Sequence, residues 1–594
     1  MVQSTQWSRP AADRLTDHHR NPLPRTIIRA GTPLLLDGVW QFELDLHARG
    51  LEEHWEQGHQ YTGEAQWPAS IESQVEAGRE LPWDDEVIAW YEHSFDLPPV
   101  WAGRLLQLTF GAVGYETHVW LNGRRLCTVD GEDVHLGEYT SFSYEIQPEM
   151  LHPRNWITVR ISDSLDAEIP RGKQASRIYQ RGGIWYQTTS GPLRSVWLEP
   201  VERNRLRSYL GVESQIESNV VTFDLTTRIH DPGRYVLDLL VQSADGDDVL
   251  VAREWPLDLE AGTKHQKVAV VIPDARLWSP QSPYLYRIVA QLVGPDGTVS
   301  RIGACFGMRK IEARGGYVYL NNHPIYLDGI LYQPGDASWS QIKRHLEAMD
   351  RLGCNLVRIH IAGIDPRMYD LADELGMLLW VEIPSPHTSS ECSRANHWAE
   401  LRRMARVIGP HPSVAIWSMY NEDWGIQDVA DNEETRAYIA RCREHLRLRC
   451  PQVLVVDNDG WRHVSQNGVL QSDLLTAHIY RNTLGDWEDA LDRLCRGDTS
   501  VTAEQLVVGD PFFYEGQMPL IVSEWGGFGF DFYGGPQGYD ARALQICVYK
   551  AALRGRAIAG DVYTQATNIE DERNGLIDVE TGRLLVPNDL LCTG

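Results

Sequence analysis

The chain has 594 residues, room for about three or four domains at roughly 100–200 residues each. Lys and Arg number 55 against 82 Asp and Glu, a formal net charge of −27; this argues against nucleic-acid or anionic-membrane partners, which call for a basic face. Hydrophobic residues at 43% and charged residues at 23% are proportions of a soluble globular protein, and no run of about 18 apolar residues marks a membrane span.

The polar, Pro-containing stretch 1–25 reads as an extended arm, and its lack of an apolar core predicts no signal peptide. Nine scattered Cys without a CxxC pair predict free thiols in a reducing compartment, hence a cytoplasmic protein. From 26 to 202, short alternating runs such as VWQFELDL, RLLQLTF and WITVRIS are separated by Gly, Asn, Asp and Pro, the pattern of an antiparallel β-sandwich. From 203 to 312 the pattern repeats in about seven runs without a helical stretch, which fits an immunoglobulin-like sandwich. The 21 Trp and 24 Tyr, against 11 Phe, suit sandwich cores and sites that stack on sugar rings.

The pattern changes near residue 318. Over 313–594, eight apolar runs alternate with amphipathic stretches such as QIKRHLEAMDRLG and RMYDLADELG. A (β/α)8 barrel is the natural closure. The runs end in Asp328, Arg358 and His360, Glu382, Asn421 and Glu422, Asp457 and Asp459, His478 and Tyr480, Glu524, and Gln565. The carboxyl ends of parallel barrel strands open on one face, where an active site lies. Glu422 ends the fourth run and Glu524 the seventh, so the two face each other across the barrel. Such a pair suits acetal cleavage, with one carboxyl protonating the leaving oxygen and the other attacking the anomeric carbon; a separation near 5–5.5 Å gives retention.

The ordered set of motifs resembles glycoside hydrolase family 2. VWLNGRRL (119–126), HLGEYTSFSYEI (135–146) and TTSGPLRSVWLEPV (188–201) are similar to the family's jelly-roll domain. LWSPQSPYLY (277–286) and FGMRKIE (306–312) are similar to the end of its middle sandwich. LNNHPIYLDGI (320–330), GCNLVRIH (353–360), HPSVAIWSMYNE (411–422) and LIVSEW (520–525) are similar to its barrel. DNDGW (457–461) and VYTQATNIEDERNGL (562–576) resemble a less-studied branch. The resemblance implies a retaining exo-β-glycosidase with Glu422 as acid/base and Glu524 as nucleophile. It implies that Asn421 holds the sugar 2-hydroxyl and that Arg358 and Tyr480 tune the nucleophile. His360, Asp459, Trp461, His478, Trp424, Trp525 and Gln565 are candidate substrate contacts. A homodimer or homotetramer is expected, and no cofactor or metal.

Two departures from the family pattern matter. Family β-glucuronidases carry an Asn-x-Lys after the eighth strand that clamps the substrate carboxylate, whereas this chain has no Lys after Lys550 and none between Lys343 and Lys550. That absence, with the acids Asp328, Asp457 and Asp459 as hydroxyl acceptors, favours a neutral β-hexoside, galactoside first. A β-glucuronide or galacturonide is the alternative, with Arg462 or Arg573 gripping the carboxylate. Only residues 567–594 follow the eighth run, little for a closing helix. Retention of both glutamates argues against a non-catalytic carbohydrate-binding protein. A metal hydrolase using His360 and His478 lacks the HxH and HExxH patterns.

Overall fold

Two antiparallel sandwiches and a parallel barrel follow one another along the chain, as the hydrophobic patterns predict. The computed structural model describes residues 23–74, 86–502 and 505–592. The expected arm lies outside the described residues up to residue 22.

The first sandwich packs a seven-stranded sheet on a four-stranded one. Its longest ladder pairs Glu86–Asp96 with Arg154–Ser164 in unbroken register. Strand Phe142–Ile146 alternates buried and half-buried residues, the signature of one face on the core. Tryptophans fill that core: Trp40 stacks on Trp67 with ring centroids 4.5 Å apart. Their indole N–H groups donate to Leu36 O at 2.9 Å and Arg194 O at 3.1 Å, so these bulky side chains are buried without an unsatisfied donor.

The second sandwich has sheets of three and five strands. Its fifth strand in the larger sheet is unexpected. Ile28–Arg29, which the sequence pattern puts in the first sandwich, pairs instead with Ile302 and Gly303. An edge strand leaves a row of N–H and C=O groups open, and this short segment covers part of it.

All eight predicted barrel strands form: Leu327–Tyr332, Leu356–Ile359, Leu378–Glu382, Val414–Asn421, Leu454–Asp459, Leu475–His478, Leu520–Gly526 and Gly560–Thr564. They are buried on both faces, which is why they read as near-continuous apolar runs. The ladder runs from the fifth strand back through the first, then through the eighth and seventh to the sixth. No ladder joins the fifth to the sixth among the described residues. Gly460 N donates to Thr476 Oγ1 at 3.0 Å there, and buried His463 links Asp457 Oδ1 (2.6 Å) to Thr476 (3.1 Å).

Six helices accompany the strands, with none after the fifth or the eighth among the described residues. The helix Trp339–Arg351 starts at a reciprocal cap between Ser338 and Gln341. After the eighth strand an irregular tail does the covering. Leu576, Ile577, Leu590 and Leu591 are buried in the helix-side core, and Leu591 N donates to Leu352 O at 2.9 Å.

Asp328 corrects the sequence reading. It lies near the amino end of the first strand, away from the carboxyl-end face, and accepts Lys550 Nζ at 2.7 Å and both its oxygens accept Arg554 Nη2 at 2.6 Å. Lys550 also donates to Asp561 Oδ2 at 2.7 Å, with no exposure of either side chain. Removing one partner of such a pair strands a buried charge. Lys550→Met should therefore destabilise the protein by about 3–5 kcal/mol, read from denaturant unfolding followed by barrel tryptophan fluorescence. An unchanged midpoint would contradict this role.

Candidate active site

The strand ends gather around Arg358, which is fully buried on the second strand. Its Nε donates to Glu382 Oε1 at 2.8 Å, its Nη2 to Asn421 Oδ1 at 2.7 Å, and its Nη1 to Ser523 O at 2.8 Å. Asp459 Oδ2 lies 2.9 Å from Nη2 and Glu524 Oε1 lies 3.1 Å from Nη1. The guanidinium rests over the Trp380 ring inside the barrel, 5.4 Å from its centroid. Burial alone would weaken its charge, but Asp459, Glu382 and Glu524 outweigh that and raise its pKa.

Glu524 reaches this cluster through a backbone irregularity. Ala477 pairs with Val522 and His478 with Glu524, so one extra residue, Ser523, is inserted in the seventh strand. Against the eighth strand, Val522 pairs with Asp561 and Trp525 with Tyr563, the same single insertion. Leu520 and Val522 face the helices. Strict alternation would send Glu524 the same way, and the bulge turns it to the barrel interior. The bulge also sends Trp525 outward. That residue is fully buried against Trp487 and Tyr549, and its Nε1 donates to Asp561 Oδ1 at 2.9 Å. Trp525 is therefore a packing residue and not a substrate contact.

Glu422 follows the fourth strand in a strained turn: Glu422 and Asp423 have φ of 48° and 62°, uncommon for residues with a Cβ. Asp423 is held by Asn458 Nδ2 at 2.6 Å and Arg462 at 3.1 Å. Oxygens of Glu422 and Glu524 lie within 4.8 Å of one another. Asn421, beside them, has an Nδ2 without a partner among the described residues.

His478 bridges the pair's surroundings. Its Nδ1 is 2.6 Å from Glu422 Oε1 and its Nε2 2.8 Å from Asp459 Oδ2. Burial disfavours its cation, yet Glu524 and Asp459 outweigh burial and raise its pKa to about 10. Burial pushes Glu524 up, while His478 and Arg358 pull it further down, to about 2. Tyr480 Oη donates to Glu524 Oε2 at 2.6 Å and its ring stacks on Tyr533, 4.1 Å away. His360 is held by Glu382 Oε2 at 2.9 Å; burial, then Lys173 nearby, lower its pKa well below the usual value. Burial raises Glu382 to about 7 against the pull of Arg358.

The remaining predicted residues separate. Trp424 lines the site, 6.3 Å from the His360 ring and 4.7 Å from Trp185. Trp461 is half-buried and its carbonyl accepts from Asn458 Nδ2 at 3.2 Å. Gln565 is buried in a chain running from Gln333 (2.7 Å) to Asn574 (2.8 Å). Asp457 is consumed by His463 and by Val464 N at 2.6 Å, so it offers no acceptor to a sugar. Arg573 is exposed.

Sequence reasoning missed Lys173. It lies in residues 165–190, a stretch of the first sandwich without a strand. Loops of that length in compact domains are commonly functional, which is the signal that marks it. The barrel grips this loop at two places. Gly172 N donates to Ser385 O at 3.0 Å, and His387 contacts Gly172 O at 2.6 Å after the third strand. After the eighth strand, Arg181 donates to Glu570 at 2.8 Å and Tyr186 Oη to Glu572. The Lys173 ammonium lies 5.7 Å and 5.9 Å from the Tyr186 and Trp424 ring centroids. Among the described residues its one carboxylate neighbour within salt-bridge range is Glu572, at 3.6 Å.

Glu422, His478 and Glu524 also form a group whose geometry fits a cation. Both His478 nitrogens already face carboxylates, which leaves no free imidazole lone pair to bind it.

Comparison with known proteins places this arrangement. Residues 210–309 match the model of "Glycosyl hydrolases family 2". A β-glucuronidase from Ruminococcus gnavus in complex with D-glucuronic acid superposes with a TM-score of 0.73 at 18% identity, over 96% of this chain and 97% of that one. The chain is thus similar to proteins of glycoside hydrolase family 2. A family 2 β-galacturonidase from Eisenbergiella tayi bound to galacturonate shares the fold with a TM-score of 0.70 at 19% identity, over 96% and 97% of the two chains. A β-galactosidase of Bacteroides ovatus is 26% identical over 360 residues, 56% of this chain. The chain spans about two-fifths of the length of the first curated relatives it matches, 41% in one and 39% in another.

The His478 cation makes a pH prediction. Its folded pKa of about 10 exceeds its ordinary 6.5, so its stabilisation is fully present below about pH 6.5 and is lost as pH rises through about 10. The stability gap between the protein and His478→Gln should shrink steadily from pH 6 to pH 10 in parallel urea titrations. A gap constant over that range would contradict the assignment.

Proposed function

We propose that the protein is a retaining β-glycosidase whose glycone is a hexuronic acid, a β-glucuronide or β-galacturonide. The reaction reading rests on the Glu422–Glu524 pair. Oxygens within 4.8 Å of one another suit the closer spacing of the two-step mechanism, with no room for a water between the carboxyls and the sugar. In the first step a Glu524 oxygen bonds to the anomeric carbon, while the bond to the aglycone oxygen breaks and that oxygen takes the Glu422 proton. In the second, water adds to the same carbon as Glu422 takes its proton and Glu524 leaves. Arg358 and Tyr480 keep Glu524 ionised for the attack. Protonated His478, 2.6 Å from Glu422, keeps a proton within one hydrogen bond of the acid/base. Asn421 has an unused amide donor for a hydroxyl beside the anomeric carbon.

The observation that carries the uronide reading is Lys173. A neutral-sugar pocket would rely on Asp328, Asp457 and Asp459 as acceptors, and the first two are occupied elsewhere in the fold. In place of an acid lining, the first sandwich delivers an ammonium that has, among the described residues, a single carboxylate neighbour at 3.6 Å, and that carboxylate already accepts from Tyr186 and, at 3.2 Å, Asn574. Such a cation suits a substrate carboxylate, which needs a replacement for its lost water. The relatives support the same reading, since the two structural neighbours described hold glucuronic and galacturonic acid.

Two outcomes test this. The first sugar released from a nitrophenyl β-uronide should be the β-anomer in a time-resolved proton NMR spectrum; an α-anomer would remove Glu524 from the nucleophile's role. Lys173→Met should lower kcat/KM on nitrophenyl glucuronide or galacturonide at least about 30-fold, the low end of the about 2–5 kcal/mol cost of removing one partner of a buried charge pair. Activity on the matching neutral hexoside should change only a few-fold. Equal losses on both, or a native preference for the hexoside, would overturn the uronide reading.

A further inference from the structure

A second polar cavity, of about 370 Å³, lies where the two sandwiches meet the barrel helix Glu391–Val407. It shares no residue with the strand-end site. Six arginines line it: Arg25, Arg29 and Arg207 from the sandwich side, Arg402, Arg403 and Arg406 from the helix. Among the described residues three carboxylates line it with them, and each is engaged. Glu199 accepts Arg25 Nη1 at 2.8 Å, Asp130 lies between Arg207 (2.9 Å) and Arg406 (3.3 Å), and Glu132 accepts Arg403 at 3.2 Å.

Arg29 is left over. Its residue is 6% exposed, no hydrogen bond or ion pair of its guanidinium exists among the described residues, and its buried Nε has no partner. It is the same residue whose strand closes the edge of the second sandwich, so its position is fixed by backbone pairing with Ile302. Its surroundings are cationic: Arg205, Arg25 and Arg207 oppose its charge, and Glu199, an acid that favours it, is taken by Arg25. On the helix side Arg402 lines the cavity and is exposed, without a carboxylate partner among the described residues. Thr140, 7% exposed, adds a hydroxyl without a partner.

A buried cation without a counter-charge is costly, and proteins keep one where something neutralises it. Two uncompensated guanidinium groups facing one cavity match a dianion with several acceptor oxygens, because planar N–H forks pair with such oxygens two at a time. We infer that this cavity binds a phosphate-type dianion, an inorganic phosphate or the phosphate of a small ester, and that the anion ties both sandwiches to the barrel. The inference is independent of the sugar chemistry.

The test is calorimetric titration of the full chain with inorganic phosphate, paired with thermal unfolding at ionic strength held constant with sodium chloride. Phosphate should bind saturably and raise Tm with the logarithm of its concentration, as a ligand of the native state does. Arg29→Met should weaken phosphate binding at least tenfold. Arg402→Ala, a surface change that leaves the buried residues in place, should weaken it severalfold and keeps the test valid if Arg29→Met folds poorly. Activity on nitrophenyl glycosides should be retained in Arg402→Ala. A Tm insensitive to phosphate beyond the chloride control, or unaltered phosphate affinity in both variants, would overturn the inference.

Discussion

The buried guanidinium of Arg358 is the constraint around which the strand ends are arranged. A charge with no exposed surface must be matched by carboxylates and carbonyls at hydrogen-bond distance. Here the matching groups come from the third, fourth, fifth and seventh strands: Glu382, Asn421, Asp459, and Glu524 with the Ser523 carbonyl. The three carboxylate partners are also held from outside the cluster. Glu382 accepts from His360 and from Ile361 N at 3.0 Å, Asp459 from His478, and Glu524 from Tyr480. Satisfying one buried charge thus fixes the positions of most polar residues at the barrel mouth. It also leaves Glu524 anionic and His478 cationic within 3.5 Å, a polarity that a nucleophile beside an acid/base requires.

The barrel does not build the site alone. The strandless loop of the first sandwich is pinned to the third-strand and eighth-strand loops, and it carries Lys173, Trp185 and Tyr186 to the mouth. Each contact is made across more than 200 residues of sequence. Alignment of the modules therefore decides where a cation and where aromatic faces stand at the mouth. The short strand Ile28–Arg29 acts in the same sense, since it crosses from the first sandwich to complete a sheet of the second. Contacts that bridge modules restrict the relative motion expected of separate domains.

Much of this was legible from residues alone, for physical reasons. Parallel strands covered on both faces must be apolar nearly throughout, so the eight barrel strands stood out. Their carboxyl ends share one face, so Glu422 and Glu524 could be paired before any distance was known. What escaped lies where period-two logic fails or where contacts are remote. The bulge at Ser523 leaves no mark in a run as uniform as LIVSEW, so Trp525 was placed beside Glu524 in the pocket when it packs among Trp487 and Tyr549. Asp328 reads as an acid of the mouth because it is the polar residue of its run, whereas it stands near the amino end of a strand that continues to Tyr332 and its lysine partner comes from a helix over 200 residues away. Lys173 stands in a module whose patterning speaks only of a β-sandwich, so the missing barrel lysine points to a neutral sugar and leaves only the barrel arginines Arg462 and Arg573 as candidate cations.

The proposed reaction stands on Glu524 as the group that bonds to the anomeric carbon, with Glu422 serving the leaving oxygen. Covalent trapping tests it most directly. The protein is incubated with a 2-deoxy-2-fluoro β-uronide bearing an activated leaving group, which slows release of a glycosyl-enzyme more than its formation, and is then digested and mapped by mass spectrometry. The account predicts one sugar per chain, on the peptide containing Glu524. An adduct on Glu422 or elsewhere, or turnover of the probe with inversion and no adduct, would contradict it.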